Sequence, residues 1–361
     1  MPRKVLILGA SYGSLLATRL LLAEHDVKLV CLPEEAELIN NEGTRVRVPV
    51  RGRSELVEID SRELPGQLSA DTPDAVDPSE YDLVALAMQE PQYRSPRVHE
   101  LVEAVAKSNV PTMSIMNLAP LPYLARIPGV DVNACRQCYT EPAVWDGFDS
   151  ALMTLCSPDP QAFRPSEEQP NVLQVQLPTN FKAARFDSDA HTAILRQLES
   201  DIDASRLRTD GGDLELPVKL RVHDSVFVPL AKWSMLVAGN YRCIQRDGLR
   251  TIHEAVNSDS DASRDVYDWV AEVCKSLGAT DENLVPFEKY AKAAESLNGP
   301  SSAARALFGG APHIERVDLL VKTLAAQKGM QNDAVDEIVG LVDARLEENS
   351  AGKEGAVPDA G

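Results

Sequence analysis

The sequence predicts an α/β chain with an N-terminal parallel sheet and a second, mainly helical domain. Three observations lead there. Over roughly the first 120 residues, short apolar runs alternate with helical patterns, as strands and crossover helices do in a parallel sheet. From residue 190 onward, apolar residues recur almost throughout at helical spacing. At 361 residues, the chain also exceeds what one compact core holds. The expected organisation is a sheet domain over 1–188, a helical substrate or dimerisation domain over 189–345, and a flexible tail over 346–361.

In order, 3–8 (RKVLIL) reads as a buried strand ending in glycine, and 14–22 as a helix of small and apolar residues. Residues 26–32 (DVKLVCL) are a second buried strand, 34–42 a helix and 45–50 (RVRVPV) an alternating strand. Residues 81–88 (YDLVALAM) and 110–116 (VPTMSIM) repeat the buried-strand pattern, with a helix over 98–108 between them. The stretch 131–186 is β-rich and irregular, and its Pro-, Asp- and Glu-laden part, 157–170, predicts a surface loop. Helices are expected at 190–207, 225–243, 260–277, 284–297, 301–308 and 313–327. The last segment, ENSAGKEGAVPDAG, is small and polar and predicts fraying.

Hydrophobic residues at 44% and charged residues at 25% exclude wholesale disorder. A formal net charge of −19 argues against nucleic-acid and anionic-membrane partners, yet leaves room for an anionic small molecule at a local cation. The N-terminal apolar run is interrupted by Gly9, Ser11, Tyr12, Gly13, Ser14 and Arg19, with no small-residue cleavage site after it. No segment reaches the ~18 apolar residues that span a bilayer. A cytoplasmic protein is expected. Six scattered cysteines are no disulfide framework. The lone CxxC of Cys135 and Cys138 lacks a second pair and a nearby histidine, so no metal site is expected.

The strand–glycine–turn–helix at the start of the chain is the arrangement that sets a pyrophosphate on backbone N–H groups at a helix N-terminus, as in the Rossmann type of fold. Gly9 permits the tight turn. Ser11 stands where a second glycine lets the backbone approach the phosphates, with Tyr12 beside it. Ser14 stands where a third glycine allows close helix–strand packing. In an alternative alignment, Gly13 and Ser14 close the motif with one residue deleted. Glu34 lies where an acid accepts the ribose hydroxyls of NAD, and no Arg or Lys directly follows to receive a 2′-phosphate. NAD is therefore the expected cofactor and NADP the alternative. Met88, ending the strand at 81–88, is expected to border the cofactor.

ILGASYGSLLA, AELINNEGTRVRV, SIMNLAP, KWSMLVAGN, and GPSSAARAL leading into HIERVDLLVKTLAAQKGM resemble the ketopantoate reductases and their relatives. These join a Rossmann domain to a helical domain of the 6-phosphogluconate dehydrogenase type. The likeness is distant and runs over most of the chain. It implies that Asn117 stands beside the nicotinamide and substrate, and that Lys232 and Asn240 border the substrate from one helix. Eight residues advance a helix by ~800°, about 80° off full register, which keeps both on neighbouring faces. The family's lysine polarises the ketone and supplies the proton, as an ammonium beside a developing alkoxide can. Ser301 matches a substrate-binding serine, with Ser302 a one-residue slip. The glutamate twelve residues on is replaced by His313, a substrate-selecting donor at a helix start. Leu236 replaces a substrate asparagine, and Ala87 replaces a lysine. These departures speak against pantoate as the product and leave the reaction class standing.

The resulting expectation is hydride transfer between NAD(P)H and a carbonyl or carbinol carbon of a small polar acid, in a chain that can form a homodimer. Two alternatives remain: an imine-reducing enzyme of the opine type, and a non-catalytic dinucleotide-binding or sensing protein.

Overall fold

The structure is a computed structural model that describes residues 2–354. It divides into two compact units. The first comprises the chain up to Met88, Gln92–Arg126 and Ala143–Pro229; the second comprises Gln89–Pro91, Ile127–Pro142 and the chain from Leu230 onward.

The strands of the first unit begin with β1 (Lys4–Leu8), β2 (Asp26–Val30), β3 (Arg45–Val48), β4 (Val57–Asp60), β5 (Leu68–Asp71), β6 (Leu83–Leu86) and β7 (Thr112–Ile115). They continue with β8 (Met153–Ser157), β9 (Gln161–Phe163), β10 (Val172–Leu177), β11 (Phe181–Ala184), β12 (Leu207–Thr209), β13 (Gly212–Leu214) and β14 (Leu220–His223). Eight of them form one sheet in the order β14-β11-β8-β7-β6-β1-β2-β5. Neighbours from β8 through β5 are parallel, and β11 runs antiparallel to β8. β1 sits between β2 and β6, so the strand order reverses beside it. Val5–Leu8 are 0% exposed, as a strand covered on both faces requires.

Helix α1 (Ala10–Leu22) is buried from Gly13 to its end. One side packs on Val5 and Ile7 of β1. A second, four-stranded sheet, β4-β3-β10-β9, contacts it as well. This double covering explains why the helix is apolar nearly all round. It also buries Arg19, whose Nη2 donates to the Ile202 carbonyl at 3.2 Å and whose pKa burial pulls down to about 10. The unit is completed by α2 (Pro33–Glu42), α3 (Pro96–Ser108) and α4 (Asp189–Ala204).

The boundary expected at 188/189 is corrected to 229/230. α4 belongs to the first unit, and β14 pairs in register with β11, from Phe181 opposite Leu220 to Ala184 opposite His223. The expectation of nearly continuous helix after 190 fails at β12–β14 for the same reason. β9 lies inside the expected loop at 157–170.

The second unit is helical: α5 (Lys232–Met235), α6 (Ile252–Asn257), α7 (Ser260–Leu277), α8 (Phe287–Ala294), α9 (Ser302–Phe308), α10 (Val317–Gln327) and α11 (Asp333–Glu354). α7 starts where the Asp259 carboxylate accepts from Ala262 N at 3.0 Å and stops at Gly278, φ 120°. Its buried stripe of Val266, Val270, Val273, Cys274 and Leu277 follows the helical repeat. The expected tail from 346 is helical as far as Glu354, which corrects that part of it; residues 355–361 lie outside the described residues. Among the described residues, no helix is long and apolar enough to cross a membrane.

The Arg316 guanidinium, at the start of α10, donates to both oxygens of Asp318 at 3.0 and 2.9 Å and pairs with Asp343 of α11 at 2.7 Å. Asp318 is 0% exposed. Asp318→Asn leaves a largely buried guanidinium short of its buried, two-oxygen countercharge, so urea unfolding should show a loss of about 3 kcal/mol.

Candidate functional site

In the first unit, the turn after β1 and the end of β6 meet at the point where the strand order reverses. This is where open parallel sheets bind ligands. Gly9 has φ 104°, and its N–H donates to the Val30 carbonyl at 2.9 Å. A Cβ there would stand 2.6 Å from Met88 Cγ and 2.9 Å from the Ala87 carbonyl oxygen. Only glycine fits both the conformation and the space. Gly13 is constrained by space alone, since its Cβ would stand 2.7 Å from Ile7 Cγ2. Gly13 therefore holds helix against strand, the place the first alignment gave to Ser14, and the alternative alignment describes the turn better. Ser14 is buried, and its hydroxyl donates to the Ala10 carbonyl within the helix.

Tyr12 is half-buried. Its hydroxyl donates to the Pro160 carbonyl at 2.8 Å, and its ring meets Phe181 edge-on at 5.6 Å. It packs the turn against the chain after β8, and burial pushes its pKa well above the usual tyrosine value. Ser11 is exposed on the first turn of α1, which carries no acidic residue. The structure thus brings Gly9, Ser11, Gly13 and Met88 together at one end of β1 and β6. Asn117 is half-buried two residues past β7. Glu34 is exposed in the first turn of α2, after β2.

In the second unit, the single helix expected over 225–243 is instead a series. After α5 comes a π-helical turn, Leu236–Asn240, and then a 3₁₀ turn, Tyr241–Cys243. A π turn holds more residues per turn than an α-helix, so it returns Asn240 closer to the face of Lys232 than the α-helical count gives. From Leu230 to Tyr241, only Lys232, Met235 and Asn240 are not buried. These three mark the open stripe of the segment. Leu236, where the family carries an asparagine, is 5% exposed and belongs to the core.

The wide turn is held from outside. The Tyr290 hydroxyl donates to the Met235 carbonyl at 3.0 Å. Gly239 admits it, since a Cβ there would lie 1.8 Å from the Tyr290 hydroxyl oxygen. The Ser301 hydroxyl donates to the Asn240 carbonyl at 2.7 Å and accepts from Ala304 N at 3.1 Å, capping α9. Ser301 is buried, and its hydroxyl both donates and accepts inside the protein. It holds the Asn240 backbone; Ser302 is exposed on the first turn of α9. His313 is half-buried in the segment before α10, which starts four residues later than the expected helix start at 313.

Sequence reasoning missed two carboxylates of this unit. Glu315, two residues past His313, is buried. Glu90 is buried as well, and accepts from Thr140 N and Thr140 Oγ1, each at 2.9 Å. Burial pushes its pKa up to about 7, against the pull of the Thr140 and Glu141 hydrogen bonds and with a further push from Glu315. The sequence signal was thin: an acid one residue before a proline.

All six cysteines are thiols. Cys135 and Cys138 are buried, and burial pushes them up to about 11 and about 12. Neither is a reactive thiolate at neutral pH. No group of three or more His, Cys, Asp or Glu side chains among the described residues is arranged to hold a metal.

Glu90 makes a pH prediction. Its folded pKa lies above the ordinary 4.5. Between these values the folded chain holds the proton more tightly, so the stability it contributes is complete below about 4.5 and is lost as pH rises through about 7. Glu90→Gln should therefore stabilise the chain at pH 8 by about 2–3 kcal/mol, a gain that shrinks towards zero near pH 4 in denaturant titrations.

No protein-family model matches the chain, and no curated protein matches its sequence. Solved structures do match its fold over nearly its whole length. A 2-dehydropantoate 2-reductase from Methylococcus capsulatus is 11% identical, with TM-score 0.65, 96% of this chain and 98% of that chain covered. A D-mandelate dehydrogenase, solved in ternary complex with NADH and anilino(oxo)acetate, is 14% identical, with TM-score 0.61, 96% of this chain and 99% of that one covered. A dimeric ketopantoate reductase from Staphylococcus aureus is 11% identical, with TM-score 0.59 and coverage of 96% and 99%. The chain has the fold of these proteins: a Rossmann-type sheet followed by a helical C-terminal part.

Proposed function

We propose that the chain is a nicotinamide-dinucleotide-dependent oxidoreductase that interconverts a carbonyl and a carbinol in a small polar acid. One observation carries the reading: at the reversal of strand order, Gly9 and Gly13 leave the backbone no side chain between the turn, Ile7 and the end of β6. A turn this bare, on a helix with no acid in its first turn, fits a pyrophosphate. The structurally similar dehydrogenase that binds NADH and anilino(oxo)acetate supports the same chemistry.

The dinucleotide supplies or accepts the hydride. Among this chain's own groups, the Lys232 ammonium donates its proton to the oxygen that develops negative charge as carbon is reduced, and takes it back in the reverse direction. Asn240 and Asn117 donate hydrogen bonds that orient the substrate, and Ser301 fixes the Asn240 backbone. His313, half-buried in the segment before α10, is the group that selects the substrate. Leu236 in the core, in place of an asparagine, supports a substrate other than ketopantoate. The dimeric structural relative supports a homodimer, and six unbridged thiols fit a cytoplasmic setting.

Lys232→Ala should lower kcat by roughly 10²–10⁴-fold, with kcat/KM falling in parallel and NADH affinity unchanged. A normal kcat with raised KM would make Lys232 an anion clamp. Wild-type values for both would remove Lys232 from the chemistry altogether. Gly9→Val should abolish NADH binding in a fluorescence titration while the helical signal of the second unit persists; unchanged affinity would make the turn structural only.

A further inference from the structure

In a fold of this type the adenosine ribose lies at the end of β2, where a carboxylate takes the 2′-hydroxyl of NAD and an arginine takes the 2′-phosphate of NADP. The first turn of α2 carries two carboxylates, Glu34 and Glu35. Taken along the chain, they should repel a 2′-phosphate. The structure adds a cation that residue order conceals. Arg164, which follows β9, donates from Nη2 to Glu35 Oε1 across 129 residues of sequence.

The pair is anchored and still reachable. The Glu35 side chain is 13% exposed and that of Arg164 is 30% exposed. A guanidinium has five donors in a rigid fork, so a bond to Glu35 leaves others for a phosphate. The pair also lies near the end of β2: Glu35, Arg164 and Asp71 all act electrostatically on the Cys31 thiol, one residue past that strand. Two large apolar side chains adjoin the pair along the sequence and stand out to solvent, Leu32 at 73% and Phe163 at 45%. Exposed apolar area of this kind suits the faces of a nucleobase.

We propose that Arg164 decides between the two dinucleotides: it takes the 2′-phosphate of NADP(H), with Glu35 holding it at the ribose end, so the chain binds the phosphorylated cofactor despite its acidic turn. The proposal rests on the dinucleotide reading above. A charge-assisted, forked contact to phosphate is also among the stronger polar contacts a side chain can make.

The test is calorimetric titration of the full chain with NADH and with NADPH. Wild type should bind both. Arg164→Ala should weaken NADPH about tenfold or more and change NADH less than about threefold. Arg164→Lys should fall between, because it keeps the charge and loses the fork. Glu35→Gln, which frees Arg164 and removes a repulsive charge, should tighten NADPH several-fold, on the order of one carboxylate–phosphate contact. It tests the idea even if Arg164→Ala fails to fold. Equal weakening of both ligands, an unchanged ratio of dissociation constants in Arg164→Ala or Glu35→Gln, or a wild type that binds NADH and rejects NADPH would overturn the proposal and leave the dinucleotide reading intact. Binding of neither dinucleotide would overturn both.

Discussion

The first unit depends on how closely one turn can approach one strand end. β1 is central, parallel to both neighbours and buried on both faces from Val5 to Leu8, and its C-terminal end opens into the turn that follows. The chain leaves that end through Gly9, whose missing side chain lets the turn sit on Ala87 and Met88, and enters α1, where Gly13 lets the helix sit on Ile7. Any Cβ at either position would push the helix away from the sheet, and the first-turn N–H groups with it. The two glycines act as a spacing constraint that brings the turn and the first helical residues onto the sheet end. Ser14 and Tyr12 serve the same end differently: one satisfies its hydroxyl within the helix, and the other bolts the turn to the strand pair beyond it.

The second unit meets a comparable problem by widening a helix. A π turn within 230–243 changes which residues share its open face, and it needs outside support. Tyr290 donates to Met235, Gly239 gives it room, and Ser301 ties the far end of the turn to the start of α9. The half-exposed Lys232, Met235 and Asn240 stay on one stripe because neighbouring helices hold the turn in place. This is positioning by packing, with the polar side chains of Tyr290 and Ser301 spent on backbone carbonyls.

Much of this was legible in the sequence, for a physical reason. β1, β2, β6 and β7 are short apolar runs because both faces are covered, and α4 and α7 show clear periodicity because one face meets water. β4, β5 and β12–β14 were not legible. Segments such as VEID and LSAD lie at sheet edges or in a two-stranded ribbon, and little of their side-chain surface is buried. The π turn was hidden because LVAGN sits in a run that is apolar on almost every side, which gives periodicity no phase to report. Ser301 was legible as a position, and its capping of α9 was not, since capping and ligand contact call for the same hydroxyl. Glu90 and Glu315 were invisible because burial of an acid leaves no mark on its neighbours in sequence.

The net charge of −19 sharpens the reading of the rim once its distribution is known. An anionic ligand responds to the local field, since charges more than about 8–10 Å away are largely screened at physiological salt. Along the edge of the sheet that field is divided. α1 offers a helix start without acids, while α2 offers one with two, and the acids of α2 are partly offset by an arginine drawn from a different sheet. A pyrophosphate and a ribose make opposite electrostatic demands, the first for positive potential and the second for hydrogen-bond acceptors. Two neighbouring crossover helices that differ in this way meet both demands within one fold. The acidic excess elsewhere on the chain has little say in it.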